Sequence, residues 1–322
     1  MASIMTNASA LTALQSLNAT NKSLETTQGR ISTGFRVAEA SDNAAYWSIA
    51  TTMRSDNKAN SVVQDALGLG AGKVDIAYTA MNKAIEVVDK IKQKVLLAKT
   101  SESADRAKIQ NEIDTYIATL KDNIGGASYA GANLLQTSSA SGQATTVRII
   151  SAYNRDSAGK VTTSTIDIAF ANIRLIDTAA DPSATPPVPG AGILDKAGTA
   201  SGKSILEISV SSLTGVTGYT AGDVTTEPAA FDNLLTDIEK ALARMADAAA
   251  ELGAAKARID LQQDFVSKLM DSIDKGVGQL VDADMNKEST RLQALQVQQQ
   301  LGIQALSIAN TNSQSILSLF KG

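Results

Sequence analysis

Absences bound this chain before any pattern does. Among its 322 residues there is no cysteine and no histidine, which removes disulfides, thiolate nucleophiles, thiolate zinc sites and imidazole acid–base chemistry together. Aromatics amount to 4%, with one Trp and five Phe, which disfavours the aromatic-rich core of a compact enzyme. Charged residues make up 19% and leave a net charge of −4 with no basic block, so nucleic acid is not expected as a partner. No apolar run is long enough to span a bilayer. The start MASIMTNASALTAL has neither a basic n-region nor a continuous apolar h-region, so no Sec-type signal peptide is visible.

What is present favours helix. Hydrophobic residues make up 43%, enough for a large core in more than one domain, and Ala, Ser, Thr, Leu and Gln suit long helices with small-residue seams. The stretch Leu292 to Phe320, LQALQVQQQLGIQALSIANTNSQSILSLF, contains no Asp, Glu, Lys or Arg. Turned at about 100° per residue, it sets Leu292, Leu295, Ile303, Leu306, Leu317 and Phe320 on one face and Val297, Leu301, Ile308 and Leu319 nearly opposite. A surface helix keeps one apolar stripe and a charged reverse side, so a helix apolar on two sides calls for two partners. Its Gln and Asn amides would go unsatisfied in hydrocarbon, which points to burial among protein helices. Met1 to Asn21 is also uncharged, with Ile4, Leu11 and Leu14 on one side and Ala10, Ala13, Leu17, Leu24 and Ile31 on the other. The two ends can each cover one face by pairing, and the outer faces then need other copies of the chain. The alternative is an ordinary helical core split between the termini, in which each helix would keep one charged face.

Between these ends the pattern divides. Ser32, Thr33 and Gly34 interrupt the first helix, and Ser41, Asp42 and Asn43 supply a cap for the next. Asn60, Val63, Leu67, Gly70, Val74, Ala77, Met81, Ala84, Val88, Ile91, Val95 and Ala98 then alternate steps of three and four, a coiled-coil-like seam. A polar break at Lys99 to Asp105 reverses the chain into a shorter antiparallel helix carrying Ile109, Ile113, Tyr116, Leu120 and Ile124, ended by Gly125–Gly126. After Gln136 and the polar linker Ser138 to Gln143 the period falls to two. Strands are expected at Val147 and Ile149, at Ile166, Ile168 and Phe170, and at Ile205, Ile208 and Val210. Asn154 to Lys160 reads as a hairpin loop and Ala184 to Gly192 as a Pro/Gly-rich one, although a long irregular loop is an alternative for the whole insert. Helix resumes at Pro228, with Phe231, Leu235, Ile238, Leu242, Met245, Ala249 and Leu252 in four-three steps, continued by Ile259, Val266, Met270, Ile273, Val277 and Leu280. The fold class is therefore mainly α: a long antiparallel helical rod, coiled-coil-like, with paired terminal helices and a small β-rich inserted outer domain. The expected domains are residues 1–44 with 284–322, 45–137 with 228–283, and 138–227.

No catalytic, cofactor or metal site is expected. Asp282 and Asp284 with Glu288 could suggest a carboxylate pair or a hard-cation site, but the two Asp point apart if helical and no Gly-bearing calcium loop surrounds them. Lys90, Lys92 and Lys94 spread around a helix and read as a solvated face. Gly70 and Gly72, with Gly276 and Gly278, fit either places where the rod adjusts its packing or plain close contact.

Three segments carry a resemblance. RISTGFRVAEASDNAAYWSIA (Arg30 to Ala50) is similar to the flagellin signature after the first terminal helix, SYAGANLL (Ser128 to Leu135) to the family's phenylalanine-asparagine-glycine turn, and VDADMNKESTRLQALQVQQQLGIQALSIANTNSQSILSLF (Val281 to Phe320) to the flagellin carboxyl end. Tyr129 and Ala130 depart from the family's Phe and Asn. NAAYWSIA resembles flagellins of soil alphaproteobacteria such as rhizobia and agrobacteria. The resemblance implies a subunit of the bacterial flagellar filament that serves motility, with its termini in the filament core and its insert outermost. It implies secretion without a cleaved signal peptide, export unfolded through the flagellar type III system, and a helical polymer with itself or with sister flagellins. Filament cap and hook-junction proteins, an export chaperone and the type III export gate are the further partners implied. Self-assembly falls on Leu11, Leu14, Leu17, Leu24, Ile31, Leu292, Leu295, Leu301, Ile303, Leu306, Ile308 and Phe320. Many flagellins meet a toll-like innate immune receptor through the position of Val88 to Ala98; there Lys90 stands for the family's Arg and Lys94 for its Leu. A hook–filament junction protein and a secreted coiled-coil adhesin or translocator are the alternative readings.

Overall fold

Gly34 decides where the first helix stops. It takes φ +75°, and its N–H bonds the Arg30 carbonyl, a left-handed cap that a residue with Cβ adopts only at a cost. That helix, α1 (Ala8–Thr33), is followed by α2 (Ala44–Thr100), α3 (Ser103–Gly126), α5 (Glu227–Val281) and α6 (Met285–Phe320), with a one-turn helix α4 (Phe170–Ile173) inside the strand-bearing segment. The strands are β1 (Ser128–Tyr129), β2 (Ala132–Asn133), β3 (Gln136–Thr137), β4 (Thr146–Arg155), β5 (Val161–Ala169) and β6 (Ile176–Asp177). This computed structural model describes residues 7–156, 158–180, 190–221, 223 and 225–311, and beyond them only the helical backbone of α6.

Two compact units divide the chain, Met1–Lys58 with Leu269–Gly322, and Ala59–Lys268. In the first, α1 and α6 lie against each other, and the link between α1 and α2 is pinned to the end of α5. Phe35 bridges Asp282, and Arg36 N and Val37 N both donate to the Val281 carbonyl, at 2.7 and 3.2 Å. Val37, Ala50, Val277 and Val281 form the core of this knot, with Phe35, Met53, Ile273 and Leu280 packed on it. Asn43 Oδ1 accepts from Tyr46 N at 3.1 Å and caps α2. Asp282 and Asp284 do not lie on a helix. They sit in the break between α5 and α6, where Asp284 Oδ1 accepts from Asn286 N and Lys287 N at 3.1 and 3.2 Å, an N-cap role rather than a carboxylate pair.

In the second unit the small-residue seam of α2 is the spine. All twelve positions from Asn60 to Ala98 named for it are buried, because a strict three-four alternation keeps one stripe inward. α3 turns its buried Ile109, Ile113, Ile117, Leu120 and Ile124 to the same core. On α5 the centre of the stripe differs from the expectation. Ala241, Ala248 and Ala255 are buried beside Ile238, Met245, Leu252 and Ile259, while Leu235 and Leu242 are only half-buried. Alanines at the centre let helices approach closely, and the leucines flank them. α2 and α5 run antiparallel, tied by ion pairs of Lys92 with Glu239 (2.5 Å), Lys99 with Asp232, and Lys256 with Asp75, and the Tyr78 ring lies beside Gly253.

β1 and β2 form a hairpin whose two turn residues, Ala130 and Gly131, have φ +49° and +78°, the type I′ turn that suits twisted strands. Asn133 ties it down: Nδ2 donates to the Ile124 carbonyl at the end of α3 (2.6 Å), and Oδ1 accepts from Leu135 N and Gln136 N at 2.9 and 3.1 Å. β4 and β5 are an antiparallel ribbon with a bulge between Ile150 and Ala152. Ile149, Ile166 and Ile168 face inward. β3 and β6 pair in parallel. Phe170 begins α4 instead of continuing a strand. The third expected strand does not form either. Ile205–Glu207 is a 3₁₀ turn, and Ile208 and Val210 are buried in irregular chain, held by Gln110 of α3, whose Oε1 accepts from Val210 N at 2.7 Å and whose Nε2 donates to the Ile208 carbonyl at 3.2 Å. A side-chain amide supplies what a neighbouring strand would have supplied. The Pro/Gly-rich stretch falls almost wholly outside the described residues.

Two glycines of α2 act as seats. A Cβ on Gly70 would lie 2.6 Å from Ile149 Cγ2, and one on Gly72 would lie 2.9 Å from Tyr129 Cζ. Close contact is therefore what these two positions require. Carboxylates fasten the loops. Burial alone would push Asp177 up, but hydrogen bonds from Ser139, Ala179 and Ala191 outweigh it and hold its carboxyl below the usual range. Asp237 is likewise held down, against its burial, by the Ser201 and Ala200 amides and by Lys240. Asp195 moves the other way, raised by burial and by the nearby Asp177 charge.

Candidate self-assembly surface

The α1–α6 pair is built by polar pins between apolar stripes. Asn7 caps α1 through Oδ1, which accepts from Ala10 N at 3.1 Å, and its Nδ2 donates to the Ala309 carbonyl at 2.9 Å. Gln299 Nε2 donates to Asn21 Oδ1 at 2.8 Å, Leu17 packs beside Gly302, and Arg30 pairs with Glu288 at 3.3 Å. Residue numbers rise on α1 as they fall on α6, so the helices are antiparallel. The amides meet one another or backbone, which is how uncharged polar side chains are accommodated between protein helices.

Between those pins the sequence-expected residues divide into two sets. Leu295 is buried, and Leu17, Leu24, Ile31, Leu292 and Leu306 are half-buried toward the partner helix. Leu11, Leu14, Leu301, Ile303 and Ile308 are not brought together with them: they keep 59%, 45%, 57%, 55% and 62% of their surface exposed. Among the described residues, Ile303 is the one on the wrong face of the expectation: its position in the sequence groups it with Leu295 and Leu306, but the helices cross so that Gly302 meets Leu17, which turns Ile303 outward. Phe320, with Leu317 and Leu319, lies outside the residues whose side chains are described. Each helix thus spends one apolar face on the other and presents a second, uncharged one.

Tyr46, Trp47 and Ile49 at the start of α2 add to the exposed apolar surface of this unit, with the Arg36 guanidinium 5.9 Å from the Tyr46 ring centre. Sequence periodicity passed over them because they precede the buried seam. The charge-free run Ala44 to Ile49 was the signal available.

In the second unit Lys90, Lys92 and Lys94 are not a bare solvated face. Lys92 pairs with Glu239 of α5, Lys94 pairs with Glu112 of α3, and Lys90 stands 6.0 Å from the Tyr116 ring centre. Hydrogen bonding to Glu239 and to Glu112 raises the Lys92 and Lys94 ammonium groups above their ordinary value. Odd spacing on one helix turns these side chains toward different neighbours.

Among the described residues no helix is long and apolar enough to cross a membrane, and no group of three or more metal-ligating side chains occurs. What the first unit presents is exposed, uncharged apolar surface on both terminal helices. Residues 4–140 match the bacterial flagellin N-terminal helical region and residues 235–320 the bacterial flagellin C-terminal helical region. The chain is 51% identical to a flagellin of Brucella melitensis biotype 1 and 47% identical to flagellin C of Rhizobium meliloti strain 1021, in both cases across 100% of either chain. A solved structure of a flagellar hook-associated protein from Vibrio parahaemolyticus is similar with a TM-score of 0.50 at 16% identity, over 75% of this chain and 100% of that one, which speaks to fold alone. A mainly helical chain with paired, doubly apolar terminal helices and full-length relatives of this identity belongs to the flagellin family, and it is a non-enzymatic structural subunit that polymerises with itself into the bacterial flagellar filament.

Proposed function

We propose that polymerisation is driven by the outer faces of α1 and α6, where Leu11 and Leu14 on one helix and Leu301, Ile303 and Ile308 on the other are covered by neighbouring copies, while Leu17, Leu24, Ile31, Leu292, Leu295 and Leu306 hold the pair together. The observation that carries this reading is the exposure of those five outer residues on helices that bear no charge beside them. On this reading residues 1–44 and 284–322 form the innermost layer of the tube, 45–137 and 228–283 the layer around it, and 138–227 the outside. Head-to-tail contacts that do not close produce a filament rather than a ring. The chain works outside the cell, exported unfolded without a cleaved signal peptide through the type III gate with an export chaperone, and it meets cap and hook-junction proteins at the two ends of the filament. Purified chain should elongate filament seeds; capping or inert behaviour would instead support a hook–filament junction protein.

The receptor segment is a second, separate reading. Lys94 is engaged with Glu112 and Lys90 stands over Tyr116, and a compact ammonium replaces both a planar guanidinium and an apolar side chain at the family's contact positions. Reporter cells should respond weakly to this monomer and more strongly to the Lys90→Arg, Lys94→Leu double variant. Strong signalling by the unmodified chain would overturn it.

A further inference from the structure

Asp237 fastens the loop of residues 196–203 to α5. It is 7% exposed and accepts from Ala200 N at 3.1 Å and Ser201 N at 2.6 Å. The loop so held closes a cavity of about 60 Å³ over Ile193, Ile205 and Ala241, and Lys196, Lys203, Lys240 and Arg244 also line it. Four cations around one carboxylate invert the sign of a chain whose net charge is −4. That carboxylate is already committed to two backbone amides. Lys240 Nζ donates to Thr199 Oγ1 at 2.8 Å and lies 3.8 Å from Asp237, whereas Lys196, Lys203 and Arg244 make no ion pair among the described residues.

A larger cavity of about 510 Å³ shares Ile193, Lys196 and Arg244 with the first and has Asn172, Asp247 and Glu251 on its other wall. Asn172 Nδ2 donates to Glu251 Oε2 at 3.0 Å. The two halves differ in chemistry. The small one has room for roughly four or five waters, the size of one tetrahedral oxyanion, and cations around it. The larger one offers acceptors that suit hydroxyls and repel a second anion.

We propose that this groove in the middle segment binds a polyhydroxylated molecule that carries a single phosphate, of the sugar monophosphate class, with the phosphate among Lys196, Lys203, Lys240 and Arg244 and hydroxyls donating to Asp247 and Glu251. The test is calorimetric titration of the full chain at fixed ionic strength with glucose 6-phosphate, glucose, inorganic phosphate and fructose 1,6-bisphosphate. Glucose 6-phosphate binds at least tenfold tighter than the other three, and Lys196→Ala and Arg244→Ala each weaken it at least tenfold, while Lys160→Ala, in the exposed hairpin loop, leaves it unchanged; circular dichroism establishes that the variants are folded. Three results would each overturn the assignment: no binding of glucose 6-phosphate up to about 10 mM, equal binding of glucose or inorganic phosphate, or unchanged affinity in folded Lys196→Ala and Arg244→Ala.

Discussion

Placing a charge on the outer face of α6 should separate assembly from folding. Leu301 keeps 57% of its surface exposed in the single chain, so Leu301→Asp removes little that holds α1 to α6. Full burial of a leucine side chain contributes about 1.5–3 kcal/mol; the exposed part that a neighbouring copy can still cover is therefore on the order of 1–1.5 kcal/mol per subunit. Aspartate forfeits that and adds an unpaired carboxylate in a dry layer, which costs several kcal/mol more. A total near ~4 kcal/mol corresponds to roughly a thousandfold rise in critical concentration, at about 1.4 kcal/mol per decade. Seeded elongation followed by light scattering measures that concentration directly, and helical circular dichroism of the monomer should match the parent chain. Ile308→Asp should behave alike. By contrast, Leu306→Asp and Leu17→Asp, at half-buried positions of the α1–α6 pair, should lower both assembly and the helical signal. If Leu301→Asp elongates seeds at the parental critical concentration, the outer face is not an assembly surface and the reasoning fails.

Other outcomes follow from the same contacts. Gly72→Ala should destabilise the second unit by about 1–3 kcal/mol in urea melts, through overpacking against Tyr129, and Tyr129→Leu should recover most of the loss; independent effects of the two substitutions would refute the seat. Below about pH 4 the middle segment should lose stability: Asp177 and Asp237 have lowered folded-state values, so their contributions exist above the unfolded carboxylate value and vanish as pH falls through the folded one. Asp195, raised by burial, contributes with the opposite sign and is relieved on acidification. Asp177→Asn should flatten the acid limb of the stability profile, and an unchanged limb would rule out that source. Replacing residues 138–227 by a short linker should leave filaments visible by electron microscopy, since the seam of α2 and the stripes of α1 and α6 lie outside that segment; export without any filament would count against the layered arrangement.

Periodicity spoke clearly where one rule governed the residues. The α2 seam was readable to the last position because burial on a long helix has a single cause, a stripe recurring every three or four residues. On α5 the same rule was blurred by alanine, which the eye passes over in favour of leucine although small residues mark the closest approach. Ile205, Ile208 and Val210 alternate like a strand, yet their inward turn comes from Gln110 of α3, about a hundred positions away, and no local pattern carries that. The doubled apolar character of the ends was legible, whereas Ile303 depended on how two helices cross. The lysines of α2 were misjudged for a related reason: spacing tells that they diverge, not what each one meets.

The ties between α2 and α5 bear on how a long helical pair finds its alignment. Lys92 and Lys99 are one heptad apart, and so are their partners Asp232 and Glu239. Sliding one helix by a heptad would bring Lys99 opposite Glu239, or in the other direction Lys92 opposite Asp232, so this end of the pair keeps one of its two ion pairs in either near-miss. Half-exposed ion pairs are in any case weak discriminators. The Tyr78 ring beside Gly253 discriminates little more, because a Cβ there would meet it at 3.5 Å, an ordinary contact, so a slip that set it against Ala246 would cost little at this position. Alignment of the pair is therefore a property of the whole buried seam, spread over many interdigitating side chains rather than carried by one contact or by the charges that decorate it.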